Sequence, residues 1–390
     1  MSTTTPGAPA RVTQATRGAL RWLRSSVPVS IVAALLIGAL FMLLAGVNPL
    51  QGYAAMVQGS FGTGMGWAST LQRAIPIVGL GIAIAIAFRA GVLNLGTEGQ
   101  AVLGALAGGI VAVYVPGPGP LIALLAIATA IVVGALWGLL AGVLQTALGV
   151  PILLSTLLLN YPARYLSSWL IRYRLDEPTS DLIASQQLDP GTQLGMLVGR
   201  DTELATALRD GLGSMHPVTT ILTGVNWSLL IVLLLVVGTA FMNRRTSFGF
   251  ESGLAGLNAE FTRYAGVKPA PLVLRTMALS GGIAGLIGVL LVIGAPNTRL
   301  IEGAIVQTNY AWTALLVTLL ALYRPVGVAV AGLFFAAIIV GSEAMGRALS
   351  LSPQISAIIQ ALVIILIAFR VTLPTLRRTP PPAESTEADR

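Results

Sequence analysis

Ten apolar runs, each near the length of a bilayer crossing, follow one another between residues 28 and 370 and leave this chain few folds to adopt. They lie at 28–47, 70–88, 95–115, 120–144, 151–171, 226–242, 272–295, 307–323, 325–342 and 354–370. About 20 apolar residues carry a helix across the hydrocarbon core, where each backbone polar group needs a partner inside the protein. The expected fold class is thus an all-α integral membrane protein with about ten transmembrane helices. The first run is long and no small-residue cleavage site clearly follows it, so it is read as a retained helix.

The arginines set the expected orientation. Residues 1–27 carry Arg11, Arg17, Arg21 and Arg24 and no acid, which places the N-terminus in the cytoplasm. Ten crossings return the C-terminus to that side, beside Arg377 and Arg378. The connector 243–270, with Arg244, Arg245, Arg263 and Lys268, falls inside as well, whereas 171–225 falls outside with seven acidic residues against four basic ones. Residues 1–27 and 371–390 lack apolar periodicity and are expected to be disordered cytoplasmic tails around a membrane domain at 28–370. The net charge of +8 is explained by this topology, and no nucleic-acid partner is expected.

Within the apolar region, FRAGVLNLGTEGQAVLGA (Phe88 to Ala105) stands apart because it holds Arg89, Asn94, Glu98 and Gln100. Ionisable groups in lipid are costly and mark function by default. Gly91, Gly96 and Gly99 point to a bend or close backbone packing where two short apolar segments meet. Asn94, Glu98 and Gln100 therefore either line a transport path or fix a bend, and amides with a carboxylate offer both donors and acceptors. Alternatively, Glu98 pairs with Arg89 or caps a helix. Asn160 lies mid-span, where inter-helix bonding and path lining are equally open. Trp169 and Trp227 flank the outer connector and read as interface anchors. Glu343 and Arg347, outside the ninth span, read as surface charge, with a rim ion pair or a binding-protein contact as the alternatives.

Several functions are excluded or disfavoured. The chain has no cysteine and a single histidine, His216, which removes thiol chemistry and a histidine-based metal cluster. No nucleophile–base constellation points to an enzyme, and no cofactor is called for. The only lysine, Lys268, is flanked by Val267 and Pro269, so the phosphate loop GxxxxGK[ST] is absent. Transport would need an ion gradient, a channel mechanism, or ATP hydrolysis by another subunit. Ser247 to Val267, with glycine breaks around one or two helical turns, would serve as a handle for such a motor. Small residues at four-residue spacing (Gly134, Gly138 and Gly142; Gly281 and Gly285; Gly104 and Gly108) read as helix packing inside one bundle.

Four stretches resemble the membrane permeases of ATP-binding-cassette importers, in the branch that handles nucleosides, simple sugars and branched-chain amino acids. AGVLNLGTEGQAVLGA, from Ala90, is similar to the nucleoside permeases, with Asn94, Leu95, Gly96, Glu98, Gly99 and Gln100 in place. LLLNYPARYL, LSGGIAGLIGVLLVIG and GLNAEFTRYAGV resemble three further family segments. The last would be the cytoplasmic coupling segment, assigning Gly256, Leu257, Asn258, Ala259, Tyr264, Ala265 and Gly266 to ATPase contact. Departures are Gly253 where the family usually has arginine, Phe261 and Thr262 in place of paired alanines, and Trp312 and Thr313 where smaller residues are usual.

The resemblance implies a type II importer bundle with pseudo-symmetric halves, in a bacterial plasma membrane. Its expected partners are two ATPase subunits or one fused ATPase, a second homologous permease and an external substrate-binding lipoprotein. Simple sugars or branched-chain amino acids are the alternative substrates. A proton- or sodium-coupled secondary transporter with Glu98 as its proton site is the rival mechanism.

Overall fold

In the computed structural model, residues 26–178, 182–294, 298–306 and 308–351 are described, together with a few positions in 354–361. The tails and most of the tenth expected span, 354–370, lie outside the described residues. Two units are distinguished, one of residues 1–51 with 354–390, the other spanning Gly52–Pro353. Within the first, helix α1 runs Ser26–Leu44.

The second unit opens with the body of α2 (Pro49–Phe61), followed by α3 (Gly64–Arg89), α4 (Thr97–Tyr114), α5 (Gly119–Leu148) and α6 (Ile152–Arg174). Two short helices, α7 (Glu203–Leu212) and α8 (Pro217–Gly224), interrupt the connector before α9 (Ser228–Arg245). Helices α10 (Ser247–Leu257) and α11 (Ala259–Tyr264) precede α12 (Pro269–Ile293), and α13 (Glu302–Val306), α14 (Tyr310–Leu320) and α15 (Pro325–Ala348) complete the series.

Among the described residues, six helical stretches are long and apolar enough to cross a membrane: α3, α5, α9, α12, α15 and Glu302–Leu320. The expected spans at 95–115 and 151–171 do form helices, but α4 carries Glu98 and Gln100 while α6 carries Asn160, Arg164 and two terminal arginines. These polar residues dilute their hydropathy. Two expectations change in extent. The helix expected to begin at 70 begins at Gly64, where the Thr63 side chain accepts from Gly66 N at 3.0 Å. The one or two turns expected in the inner connector are two helices of 11 and 6 residues. Helix α2 lies in a stretch where no span is expected.

The core is made by α3 and α12, whose apolar windows are each 83% buried, with α4 and α5 packed on them. Close backbone approach replaces the hydrophobic drive that lipid does not provide. A Cβ on Gly288 of α12 would collide with the Ala101 carbonyl of α4. Gly134 of α5 and Gly281 of α12 likewise meet backbone to backbone. The outer connector is tied down where Ser185 N donates to Leu300 O at 3.0 Å and Leu188 N to Thr298 O at 2.7 Å.

Candidate functional site

The break between α3 and α4 is built from backbone groups that a helix would have bonded and here must satisfy otherwise. Gly91 has φ +74°, a conformation that costs a residue with a Cβ but not glycine. The chain then runs non-helically to Gly96. Asn94, wholly buried, accepts from Gly96 N at 2.9 Å and donates to Ser280 Oγ at 2.9 Å and Gln100 Oε1 at 3.1 Å. Gln100 returns a bond from its Nε2 to Asn94 Oδ1 at 3.3 Å. Across on α6, Asn160 accepts from Gly99 N and donates to Leu95 O, both at 2.9 Å, while Thr156 Oγ1 accepts from Leu95 N at 3.2 Å. The three amides expected near the path are thus engaged with one another and with the broken backbone.

Glu98 differs. It does not pair with Arg89: its carboxylate lies 3.8 Å from Arg164 of α6, and it shares the lining of a small cavity with Trp312 of α14. The Glu98 side chain is 7% exposed and that of Arg164 is 38%, so the pair has one buried and one open end. Arg89 sits at the far side of the bend, where its guanidinium donates to Gly249 O at 3.5 Å. Its helix-end location, not its closeness to Glu98 in sequence, decides its partner.

A cavity of about 620 Å³ lies between α3, α12, α14 and α15. Gln72, Arg73, Asn226, Tyr310, Glu343 and Arg347 are among its polar lining residues. Arg73 donates to Tyr310 Oη at 2.9 Å and pairs with Glu343 at 2.8 Å. Glu343 therefore has an ion-pair partner across the cavity, and that partner is Arg73 of α3, not the nearby Arg347. Thr308 and Leu291 also line a smaller cavity that reaches Glu98, and Glu98 with Ala311 borders a third that ends at Asn94 and Trp312. These two hold only about 10 Å³ each, roughly the room for one water. Through these shared lining residues the three cavities lie in succession between the wide polar space and the broken helix. Arg73 and Tyr310 are functional candidates that sequence reasoning missed; an arginine inside the run 70–88 is the signal that marks one of them.

The inner connector packs directly on the bend. A Cβ on Gly256 would strike the Arg89 carbonyl, and one on Gly253 would stand 2.7 Å from Arg89 Nη2. Glycine at both positions lets α10 lie against the end of α3. Thr246 caps α10 by accepting from Gly249 N at 3.1 Å, and Asn258 caps α11 by accepting from Phe261 N at 2.9 Å. Leu257 (87%) and Tyr264 (88%) are almost wholly exposed, and Phe250 and Phe261 are exposed as well. Ala265 ends α11 and Gly266, at φ +87°, turns the chain toward α12.

Residues 66–368 match the family model for the permease component of branched-chain amino acid transport systems. Three curated proteins are similar over most of their length. The glucose ABC transporter permease protein TsgB13 of Haloferax volcanii is 31% identical, covering 94% of this chain and 95% of that protein. The nucleoside ABC transporter permease protein NupB of Lactococcus lactis is 26% identical over 89% and 91%, and the guanosine ABC transporter permease protein NupP of Bacillus subtilis is 26% identical over 87% and 91%. No solved structure matches the chain.

Proposed function

Because the chain belongs to the family of branched-chain amino acid transport system permease components, a family of multi-pass membrane proteins, we propose that it is the translocation subunit of an ABC importer for nucleosides. The observation that carries the reading is the succession of cavities from the Arg73–Glu343 space to Glu98, beside a broken helix on which the inner connector rests. Glu98 borders the path, while Asn94, Gln100 and Asn160 hold the bend that shapes it.

On this reading the chain crosses the plasma membrane ten times with both termini in the cytoplasm. Residues Gly256 to Gly266 dock on separate ATPase subunits, or on one fused ATPase. A second permease completes the path and an external binding lipoprotein delivers substrate. Closure of the ATPases moves α10 and α11, and the Gly256–Arg89 contact passes that motion to the bend. The guanosine and nucleoside relatives, with the Ala90–Ala105 resemblance, favour nucleosides. The glucose relative is the specific ground for a second reading as a sugar permease.

Uptake of labelled guanosine, uridine and glucose in cells with and without the gene tests both. Loss of nucleoside uptake in the deletion, unaffected by excess glucose and retained when a protonophore is added at high ATP, is the expected result. Loss of glucose uptake alone selects the sugar reading, and uptake abolished by the protonophore at high ATP selects an ion-coupled carrier.

A further inference from the structure

Helix α6 presents a face that does not suit lipid. Tyr161, Tyr165, Trp169 and Tyr173 recur every fourth residue, and all are about half exposed or more, Tyr165 at 71%. Four-residue spacing keeps side chains on one face of a helix, and these span roughly 18 Å at about 1.5 Å per residue. Aromatic residues that anchor a helix at the interface gather near its ends. These start near the middle of Ile152–Arg174 and continue to its end.

The ion pairs say what lies in front of this face. Arg164 stands just past the midpoint of α6, 38% exposed, paired with Glu98. Two turns on, Arg172 pairs with Glu302 at 2.8 Å with 45% of its side chain exposed, and Ser168 donates to the same carboxylate. On a helix of about 3.6 residues per turn, Ser168 and Arg172 fall between Tyr161 and Tyr165 or directly beside them, and Arg164 borders that arc. On the reading that α6 spans the membrane, a guanidinium left this open halfway along it has a high cost against hydrocarbon and faces water or protein instead. The open faces of α9 offer a contrast, with Leu233, Leu234, Val237 and Phe241 exposed and no charge among them until its inner end.

We propose that the Tyr161–Tyr165 face of α6 lines the aqueous route through the importer, and that these two rings stack on the planar base of the substrate as it passes Glu98 and Arg164. The stacking half rests on the nucleoside reading; the location of the water-lined face does not. Stacking on an aromatic ring tolerates different bases because each has a π-face, and is worth about 1–3 kcal/mol per base in nucleic-acid complexes. Trp169 is less free, since the Arg174 guanidinium lies 5.6 Å from its ring centroid.

The absence of cysteine makes the test clean. Single cysteines are placed at Tyr161 and Tyr165, and at Leu234 and Val237 of α9 as lipid-facing controls, in the assembled transporter in membrane vesicles. A membrane-impermeant methanethiosulfonate is expected to label the α6 positions at least tenfold faster than the controls. Equal slow rates at all four sites would mean lipid, and protection together with disulfide formation between permeases would mean a dry subunit interface; either overturns the route. Tyr165→Leu is expected to raise the KM for guanosine about fivefold or more and Tyr165→Phe to restore it, with membrane levels unchanged. An unaltered KM in Tyr165→Leu overturns the stacking. If the parent carries glucose and no nucleoside, the functional reading and the stacking fail together, while the labelling result stands by itself.

Discussion

Two sets of polar groups share the membrane region and are treated in opposite ways. Around the α3–α4 break, Asn94, Gln100, Asn160 and Ser280 are buried and bonded to one another or to exposed backbone ends of the broken helix. The ion pairs Arg73–Glu343, Glu98–Arg164 and Arg172–Glu302 each keep at least one partner a third or more exposed and border cavities or an open helix face. The first set is architecture, because its bonding capacity is taken up internally. The second retains free capacity toward whatever enters. Polarity alone does not mark a transport site; what separates the sets is how many of the bonds are already made.

The sharpest way to break this distinction is at Asn160. Asn160→Leu orphans the Gly99 N–H and the Leu95 carbonyl, each about 1–3 kcal/mol when buried. We expect a lower melting temperature in detergent and reduced membrane level. A variant of parental stability with impaired uptake alone would move Asn160 into the path set. The next largest effect belongs to Gly256→Val, which drives a side chain into the Arg89 carbonyl. Uptake is expected to fall tenfold or more while the assembled complex still hydrolyses ATP, and transport per ATP in proteoliposomes reads this directly. Unchanged coupling would show that the bend does not receive motion through α10.

Sequence made the bend visible and hid the pairing of the second set for a physical reason. Asn94, Gly96 and Gln100 bond within six residues of each other, so the spacing in LNLGTEGQ already carries their relation. The ion pairs are assembled by packing across the chain: Arg73 meets Glu343 at a separation of 270 residues, and Glu98 meets Arg164 from another helix. Proximity in sequence favours Arg89 as the partner of Glu98. Arg89, however, ends α3, and the turn at Gly91 aims it at α10 while Thr97 restarts the helix. Helix α2 was equally hidden, since Gln51, Gly52, Gln58, Gly59 and Ser60 dilute its apolar signal below that of a span. The inner connector showed its glycines, and only the packed structure shows that two of them make room for Arg89.

Glu98→Gln distinguishes the sets from the other side. The substitution keeps the shape of the side chain but removes the charge that faces Arg164. Melting temperature is expected to stay within a few degrees of the parent, with nucleoside uptake reduced about tenfold. A large loss of stability with normal specific uptake would place Glu98 among the architectural groups.

The smallest effect is expected in the wide cavity. Arg73 and Glu343 are each about a third or more open, and pairs of that kind contribute roughly 0–1 kcal/mol to stability. Arg73→Gln is therefore expected to leave folding intact and to raise the KM for uptake two- to fivefold, with kcat nearly unchanged, because a group that meets substrate early adds binding shared by ground and transition states. Glu343→Gln should give a similar change, and the double variant little more than either, since both disrupt one pair. Additive effects would mean that the two residues meet substrate separately, and the cavity would then hold two contacts where the structure shows one bridged wall.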